Sequence, residues 1–184
     1  MIVTPRLILG PWRDEDRAAH ARMMADPEVT HDYPAPRTRA EADARFEHYL
    51  DGWKRDGFGR WVLKLRSDGG YLGDTGITRL AADDQLGPVL EIGWRLRRDA
   101  WGHGYVTEAA VAALDDIFQK TEDDDVFSYT GSENLRSRAV MERLGLERAE
   151  HLDFDRPERS RGGLCRAASD LAYAPSIRAA RGAK

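Results

Sequence analysis

Apolar positions recur along this chain in two rhythms, every second residue in some stretches and every third or fourth in others, and the changes of rhythm mark its elements. Residues 2 to 9 have strand composition interrupted by Pro5, and residues 14 to 25 read as a helix that stops before Asp26-Pro27. Thr38-Arg39-Ala40-Glu41 has the spacing of a capping box, in which hydroxyl and carboxylate each satisfy a backbone donor left free at a helix start. It predicts a second helix running to about Lys54, closed by Gly57 and Gly59. Trp61, Leu63 and Leu65 then alternate with Val62 and Lys64, the turn at residues 67 to 70 is rich in Gly and Asp, and residues 71 to 79 return as the second arm of a hairpin.

A loop with Asp83, Asp84, Gly87 and Pro88 leads to a strand over residues 89 to 96. In that strand Leu90, Ile92, Trp94 and Leu96 share one side and Glu91, Gly93 and Arg95 the other. After Trp101-Gly102-His103-Gly104, a helix from Tyr105 to about Lys120 places Val106, Ala110, Ala113, Leu114 and Ile117 at helical spacing, with small residues suited to close packing on a sheet. Residues 125 to 130 read as a strand, residues 134 to 144 as a helix ended by Gly145, and strand-like pieces follow near Leu152 and Leu171. The tail after about residue 175 is expected to be disordered. The order βααβββαβαβ, with one further strand, describes a mixed α/β (α+β) layer and not a doubly wound dinucleotide fold. No repeat or linker interrupts it, so the 184 residues are expected to form a single domain over 1–184.

Composition narrows the class. Apolar residues make up 41% of the chain and charged residues 33%, a balance that can build a packed core. No apolar run approaches the ~18 residues of a membrane span. The opening MIVTPRLILGPW has no basic segment followed by an apolar signal stretch, which predicts a cytoplasmic protein with no membrane partner. The lone cysteine, Cys165, cannot form an internal disulfide, and no Cys–His pair has metal-ligand spacing, so no metal is expected. The net charge of -4, from 32 acidic against 28 basic residues, argues against a general nucleic-acid binder. Basic residues cluster locally at Arg95, Arg97, Arg98 and His103 and again at Arg136, Arg138 and Arg143; the acidic run Glu122, Asp123, Asp124 and Asp125 reads as solvated surface.

The stretch from Glu91 to Glu108 carries the candidate chemistry, because a strand there feeds through a glycine turn directly into a helix. Such a junction points free backbone N–H groups and the positive end of the helix dipole at whatever anion binds there. A pyrophosphate meets that description. Gly102 and Gly104 remove side chains where a phosphate must approach the backbone, and Arg97, Arg98 and His103 can add positive charge at the rim. The stretch lacks the Gly-Lys-Ser/Thr end of a P-loop and the third glycine of the dinucleotide fingerprint.

On motifs that follow one another in order along nearly the whole chain, it resembles the GNAT superfamily of N-acetyltransferases, and within it the branch of Rim-type acetyltransferases of ribosomal-protein N-termini. Thr4-Pro-Arg-Leu-Ile-Leu with Trp12, Asp16 and Asp26-Pro-Glu-Val29 is similar to that branch's first strand and helix, and Glu91-Ile-Gly-Trp94 to its central strand. Trp101-Gly-His-Gly-Tyr-Val-Thr-Glu108 is similar to its cofactor loop. Asn134-Leu-Arg-Ser137 with Val140-Met-Glu-Arg-Leu-Gly145 is similar to its last helix, and Leu152-Asp-Phe-Asp-Arg-Pro157 to its closing segment. The chain departs from the superfamily where Trp101 opens the loop in place of Gln or Arg, and where Val106 replaces a Gly or Ala.

The resemblance implies a GNAT-type acyl-CoA N-acyltransferase fold, a splayed, mostly antiparallel central sheet with helices on both faces, whose gap takes the pantetheine arm of acetyl-CoA. It implies cofactor contacts at Leu96, Arg97, Arg98, Trp101, Gly102, His103, Gly104, Tyr105, Val106, Asn134 and Ser137, with the pyrophosphate on the amides of residues 101 to 106. An amine acceptor is mostly protonated at neutral pH, with a reference pKa of ~10 for a lysine and ~8 for a chain terminus. Glu91, where the superfamily often has a glutamate base, is the candidate to take that proton; the competing role is an ion pair with Arg95 or Arg97. A backbone N–H near Leu96 can stabilise the charge developing on the acetyl carbonyl. Where many relatives place a tyrosine to protonate the leaving sulfur, this chain has Met141, so Ser137 is assigned to the thiolate and Asn134 to pantetheine; Ser137 could instead cap its helix.

Tyr33, Trp53, Phe58 and Trp61 could line an acceptor pocket but have the character of core. The reading is transfer from acetyl-CoA to a primary amine, a protein N-terminus or a small molecule, by a monomer or homodimer. Transfer of a longer acyl group and a non-catalytic acyl-CoA-binding module are the alternatives.

Overall fold

The computed structural model describes residues 1–84, 86–123, 125–160 and 163–175, with side chains described as far as Phe154. Its strands are β1 (Ile2–Val3), β2 (Leu7–Gly10), β3 (Arg60–Leu65), β4 (Tyr71–Arg79), β5 (Leu90–Leu96), β6 (Val126–Gly131), β7 (Leu146–Arg148), β8 (Phe154–Ser160) and β9 (Gly163–Pro175). Its helices are α1 (Arg17–Met24), α2 (Arg39–Asp56), α3 (Tyr105–Lys120) and α4 (Leu135–Arg143). The chain divides into two compact units, Met1–Thr78 with Ile92–Thr121 and Arg79–Glu91 with Glu122–Lys184.

The element pattern follows the apolar rhythms, with three differences. The expected strand over residues 2 to 9 is two strands, because Pro5 lies in a turn closed by Thr4 N to Leu7 O (2.9 Å) that folds β1 back against β2, Ile2 opposite Leu9. The expected helix over residues 14 to 25 begins as a 3₁₀ turn, Asp14–Asp16. β7, which sequence did not suggest, follows Gly145, whose φ of 76° turns the chain out of α4.

In the first unit, β1, β2 and β3 are antiparallel neighbours, β3 pairs antiparallel with β4, and β5 follows β4. Alternation along the strands divides the core between two faces. Val62 and Tyr71 join Trp12, Met23, Met24, Phe46 and Tyr49 in a cluster under α1 and α2. Trp61, Leu63 and Leu72 join Leu7, Leu9, Leu96, Ala109 and Ala113 in a cluster under α3. Each large apolar side chain buried here contributes about 1.5–3 kcal/mol, and the small Ala109 and Ala113 let the helix backbone lie close to the strands.

α2 starts at the expected capping box, with the Thr38 hydroxyl accepting from Glu41 N and Glu41 Oε2 accepting from Thr38 N at 2.8 Å, and it ends at Gly57 with φ 73°. The indoles of Trp12 and Trp53 both donate to Arg60 O at 2.8 Å, pinning the start of β3. Beside them Arg60 Nη1 and Asp74 Oδ1 form a buried pair at 3.1 Å. Gly73, at φ 149°, allows β4 and β5 to approach, since a Cβ there would lie 2.1 Å from Arg95 O. Of the four aromatics read as core or pocket, Phe58 and Trp61 are buried, Trp53 is half-buried against Trp61, and Tyr33 is half-buried between arginines.

In the second unit, β9 is the central strand and pairs antiparallel with β6, β7 and β8. β6 also pairs in parallel with the start of β5 through Leu90↔Val126 and Glu91↔Phe127. The sheet is therefore mostly antiparallel and mixed with helices, as expected. The tail expected to be disordered, residues 176 to 184, and the side chain of Cys165 lie outside the described residues. Among the described residues no helix is long and apolar enough to cross a membrane.

Candidate functional site

The strand-to-helix junction of the first unit is built as a ring of backbone around two left-handed glycines. β5 ends at Leu96, a 3₁₀ turn covers Arg98–Ala100, and the Trp101 indole donates back to Leu96 O at 2.9 Å, tying the loop to the end of the strand. That indole bond is what the tryptophan opening the loop contributes. Gly102 (φ 80°) and Gly104 (φ 76°) then turn the chain into α3 in a conformation that costs other residues about 1–2 kcal/mol. The first intrahelical bond is Glu108 N to Gly104 O at 3.1 Å.

Among the described residues, the N–H groups of residues 102 to 107 have no protein acceptor. They lie at the positive end of a 16-residue helix, where an anion is favoured. A Cβ at Gly102 would meet nothing within 4 Å, and one at Gly104 would meet Arg6 Nη2 at 3.5 Å. The backbone is thus open to a ligand on the side that the glycines bare. Val106, the bulky departure from the family pattern, is half-buried against the α3 cluster, so its side chain serves the core.

The surrounding charges are unequal in their freedom. Arg97 pairs with Asp99 at 3.2 Å, Arg98 is exposed, and the exposed His103 ring stacks on Tyr105 at 5.4 Å between centroids. Arg97 N donates to Leu72 O at 2.9 Å, so the alternating backbone directs the Leu96 N–H away from β4. Arg95, read as a possible partner of Glu91, is gripped by Asp32 at 2.8 and 2.7 Å and by Val29 O. Burial alone would raise the Asp32 carboxyl, but its hydrogen bonds to Arg95 and that cation's charge hold it below the usual carboxylate range. Tyr33 completes this fastening of the α1–α2 connection, with the guanidinium of Arg37 4.0 Å and that of Arg95 4.7 Å from its ring centroid.

One group of residues at the junction escaped the sequence reading. Glu108 Oε1 accepts from the Thr4 hydroxyl at 2.6 Å and from Arg6 N at 2.9 Å, while Oε2 accepts from Arg6 Nε at 2.6 Å. Arg6 Nη1 continues to His103 O at 2.8 Å. Burial works against the Glu108 charge, yet the hydrogen bonds from Thr4 and Arg6 and the Arg6 charge keep its pKa below the usual value. Both partners stood in motifs at opposite ends of the reading, Thr4-Pro-Arg6 and Thr107-Glu108. Nothing local connects them, since about a hundred residues separate them.

In the second unit Glu91 is buried, 7% exposed, and in register with Phe127. Asn134 is the N-cap of α4, its Oδ1 accepting from Ser137 N at 3.2 Å. The cap is therefore Asn134, not Ser137, and the Ser137 hydroxyl and the Asn134 amide nitrogen have no partner among the described residues. Both side chains are half-buried, while Met141 one turn on is fully buried and has no proton to give.

Residues 6–147 match the family described as an acetyltransferase (GNAT) domain. The chain belongs to the GNAT acetyltransferases. It is accordingly an acyltransferase of a family that uses acetyl-CoA as co-substrate, and the sequence resemblance and the fold expected from it both hold. An acetyltransferase from Agrobacterium tumefaciens is similar at 30% identity, with 94% of this chain and 92% of that one covered and a TM-score of 0.76. RimL, a ribosomal L7/L12 alpha-N-protein acetyltransferase solved with coenzyme A, shares the fold at 12% identity and TM-score 0.71, over 94% of this chain and 95% of that one. The uncharacterized protein YkkB of Bacillus subtilis is 28% identical over 146 residues, 79% of this chain and 84% of its own length. Among the described residues no group of three or more His, Cys, Asp or Glu could hold a metal ion.

Proposed function

We propose that this acetyltransferase moves the acetyl group of acetyl-CoA to a primary amine by direct attack within a ternary complex. The observation that carries the proposal is the row of loop and helix amides at residues 102 to 107 without protein acceptors, beside two glycines that leave the backbone bare. Those amides bind the diphosphate of the co-substrate, with Arg98 and His103 at the rim. The Leu96 N–H, turned away from β4, donates to the acetyl carbonyl as it becomes an oxyanion.

Glu91 takes the proton of the attacking amine, directly or through a water. Asn134 keeps its oxygen on the helix cap and donates through its amide nitrogen to pantetheine. The Ser137 hydroxyl donates to the departing sulfur. A coenzyme thiol titrates near ~8.5, so a hydrogen bond suffices for the thiolate to leave and no tyrosine is required at position 141.

The test is thiol release from acetyl-CoA with a panel of amines that includes polyamines, amino acids and peptides with free Ala, Ser or Met ends. Release above the rate of hydrolysis with at least one amine is expected. Stabilisation by acetyl-CoA with no release across the panel would convert the reading to a non-catalytic acyl-CoA-binding module, and no stabilisation at all would remove the co-substrate site.

A further inference from the structure

The geometry points to Arg6 as a positioning residue for the diphosphate-binding loop, acting through the His103–Gly104 peptide, with Thr4 and Glu108 holding it in place. The inference rests on the diphosphate site proposed above. One guanidinium spans the whole junction. Its Nε is bound to Glu108 Oε2 in the first turn of α3 (2.6 Å), its Nη1 to the His103 carbonyl (2.8 Å), and its Nη2 lies 3.5 Å from where a Gly104 Cβ would be. The same group lies over the Tyr105 ring, 4.8 Å from its centroid. The carboxylate that anchors it is itself held by the Thr4 hydroxyl and the Arg6 amide, so the β1–β2 turn and the helix start form one rigid clamp.

The consequence follows from peptide planarity. In a trans peptide the C=O and the following N–H point in opposite directions. Holding the His103 carbonyl toward Arg6 therefore turns the Gly104 N–H away from it, outward with the neighbouring free amides. Glycine imposes little restraint of its own, because it occupies both hands of φ with similar ease. With Gly102 and Gly104 on either side of His103, this peptide can rotate at little cost unless something outside the loop holds it. Rotation would withdraw a donor and present a carbonyl dipole to the anion. Arg6 also neutralises Glu108, which would otherwise place a bare negative charge one turn from a bound diphosphate.

Affinities of the full-length protein for coenzyme A and for pantetheine, which lacks the diphosphate, are measured by calorimetry for wild type, Arg6→Met and Arg6→Lys. Arg6→Met should weaken coenzyme A by about 10- to 100-fold, the worth of a hydrogen bond to a charged group, and leave pantetheine within about twofold. Arg6→Lys, which can keep the charge and one of the two bonds, should fall between Met and wild type. Equal weakening of both ligands, or an unchanged coenzyme A affinity, overturns the positioning role. If Arg6→Met does not fold, Arg6→Lys decides alone by the same comparison. Wild type that binds pantetheine and coenzyme A equally would instead sink the diphosphate site, and this inference with it.

Discussion

Replacing Gly104 by leucine separates backbone strain from ligand exclusion, because the structure supplies a matched control. Gly104 has φ 76° and ψ 8°, and the nearest atom to an added Cβ is Arg6 Nη2 at 3.5 Å, an ordinary van der Waals distance. No packing clash is expected, so the cost to the fold is the left-handed conformation alone, about 1–2 kcal/mol. For a domain of this size each kcal/mol lowers Tm by about 2–4 °C, which gives a fall of roughly 2–8 °C. Gly57, at the end of α2, is also left-handed at φ 73°, with nothing within 4 Å of an added Cβ, so Gly57→Leu should cost the same. The two variants should differ in coenzyme A binding. In the proposed site, leucine at 104 would occupy the space through which a phosphate reaches the amides, and affinity should fall at least about 100-fold, or ~2.8 kcal/mol, whereas Gly57→Leu should bind as wild type. Calorimetry with coenzyme A and thermal melts of the free proteins read both effects. Retained affinity in Gly104→Leu, with the melting shift present, would show that the diphosphate does not approach this loop.

Ser137→Ala should lower turnover more than acetyl-CoA affinity; steady-state rates beside calorimetric affinities check this, and unchanged turnover removes the hydroxyl from the mechanism. Arg60→Met strands the buried Asp74 carboxylate, whose partner Arg60 Nη1 lies at 3.1 Å, and should cost about 3–5 kcal/mol; a denaturant titration showing under about 1 kcal/mol would mean Asp74 is stabilised by something else. His20 is fully buried, and desolvation holds its imidazole below the usual value against the opposing pull of Asp74. The unfolded imidazole titrates near ~6.5, so below that pH the unfolded chain binds a proton that the folded one refuses, and stability present above it is lost as pH falls toward the folded value. Wild-type Tm should therefore drop more steeply than that of His20→Gln between about pH 6.5 and 5, and parallel curves would refute the assignment.

Elements of this chain are legible in its sequence where the physics is local. The capping box at Thr38 and Glu41, the strand alternation around Trp61 and Leu63, and the start of α3 just after Gly104 each depend on residues within one turn or one hairpin, and each is where its pattern placed it. The backbone consequence of two glycines before α3 is legible as well, and both adopt the left-handed φ that such a turn requires. β7 is not legible in the sequence because its three residues are too short for a periodic pattern and are held by β9 instead. Pro5 interrupts the strand pattern, yet whether a proline interrupts a strand or turns it back depends on what the next strand pairs with.

The amino-acid order alone determined most of the elements, the strand–glycine turn–helix order of the Gly102–Gly104 junction and membership of an acetyl-transferring family, since propensity, capping and turn chemistry act over a few residues. Tertiary structure decided which side chains serve the loop. It turned Val106 toward the core, engaged Arg95 with Asp32, made Asn134 a helix cap, and brought Arg6 from the first turn of the chain to the His103 carbonyl. Those outcomes depend on contacts between residues far apart in the chain, and no short-range periodicity encodes them.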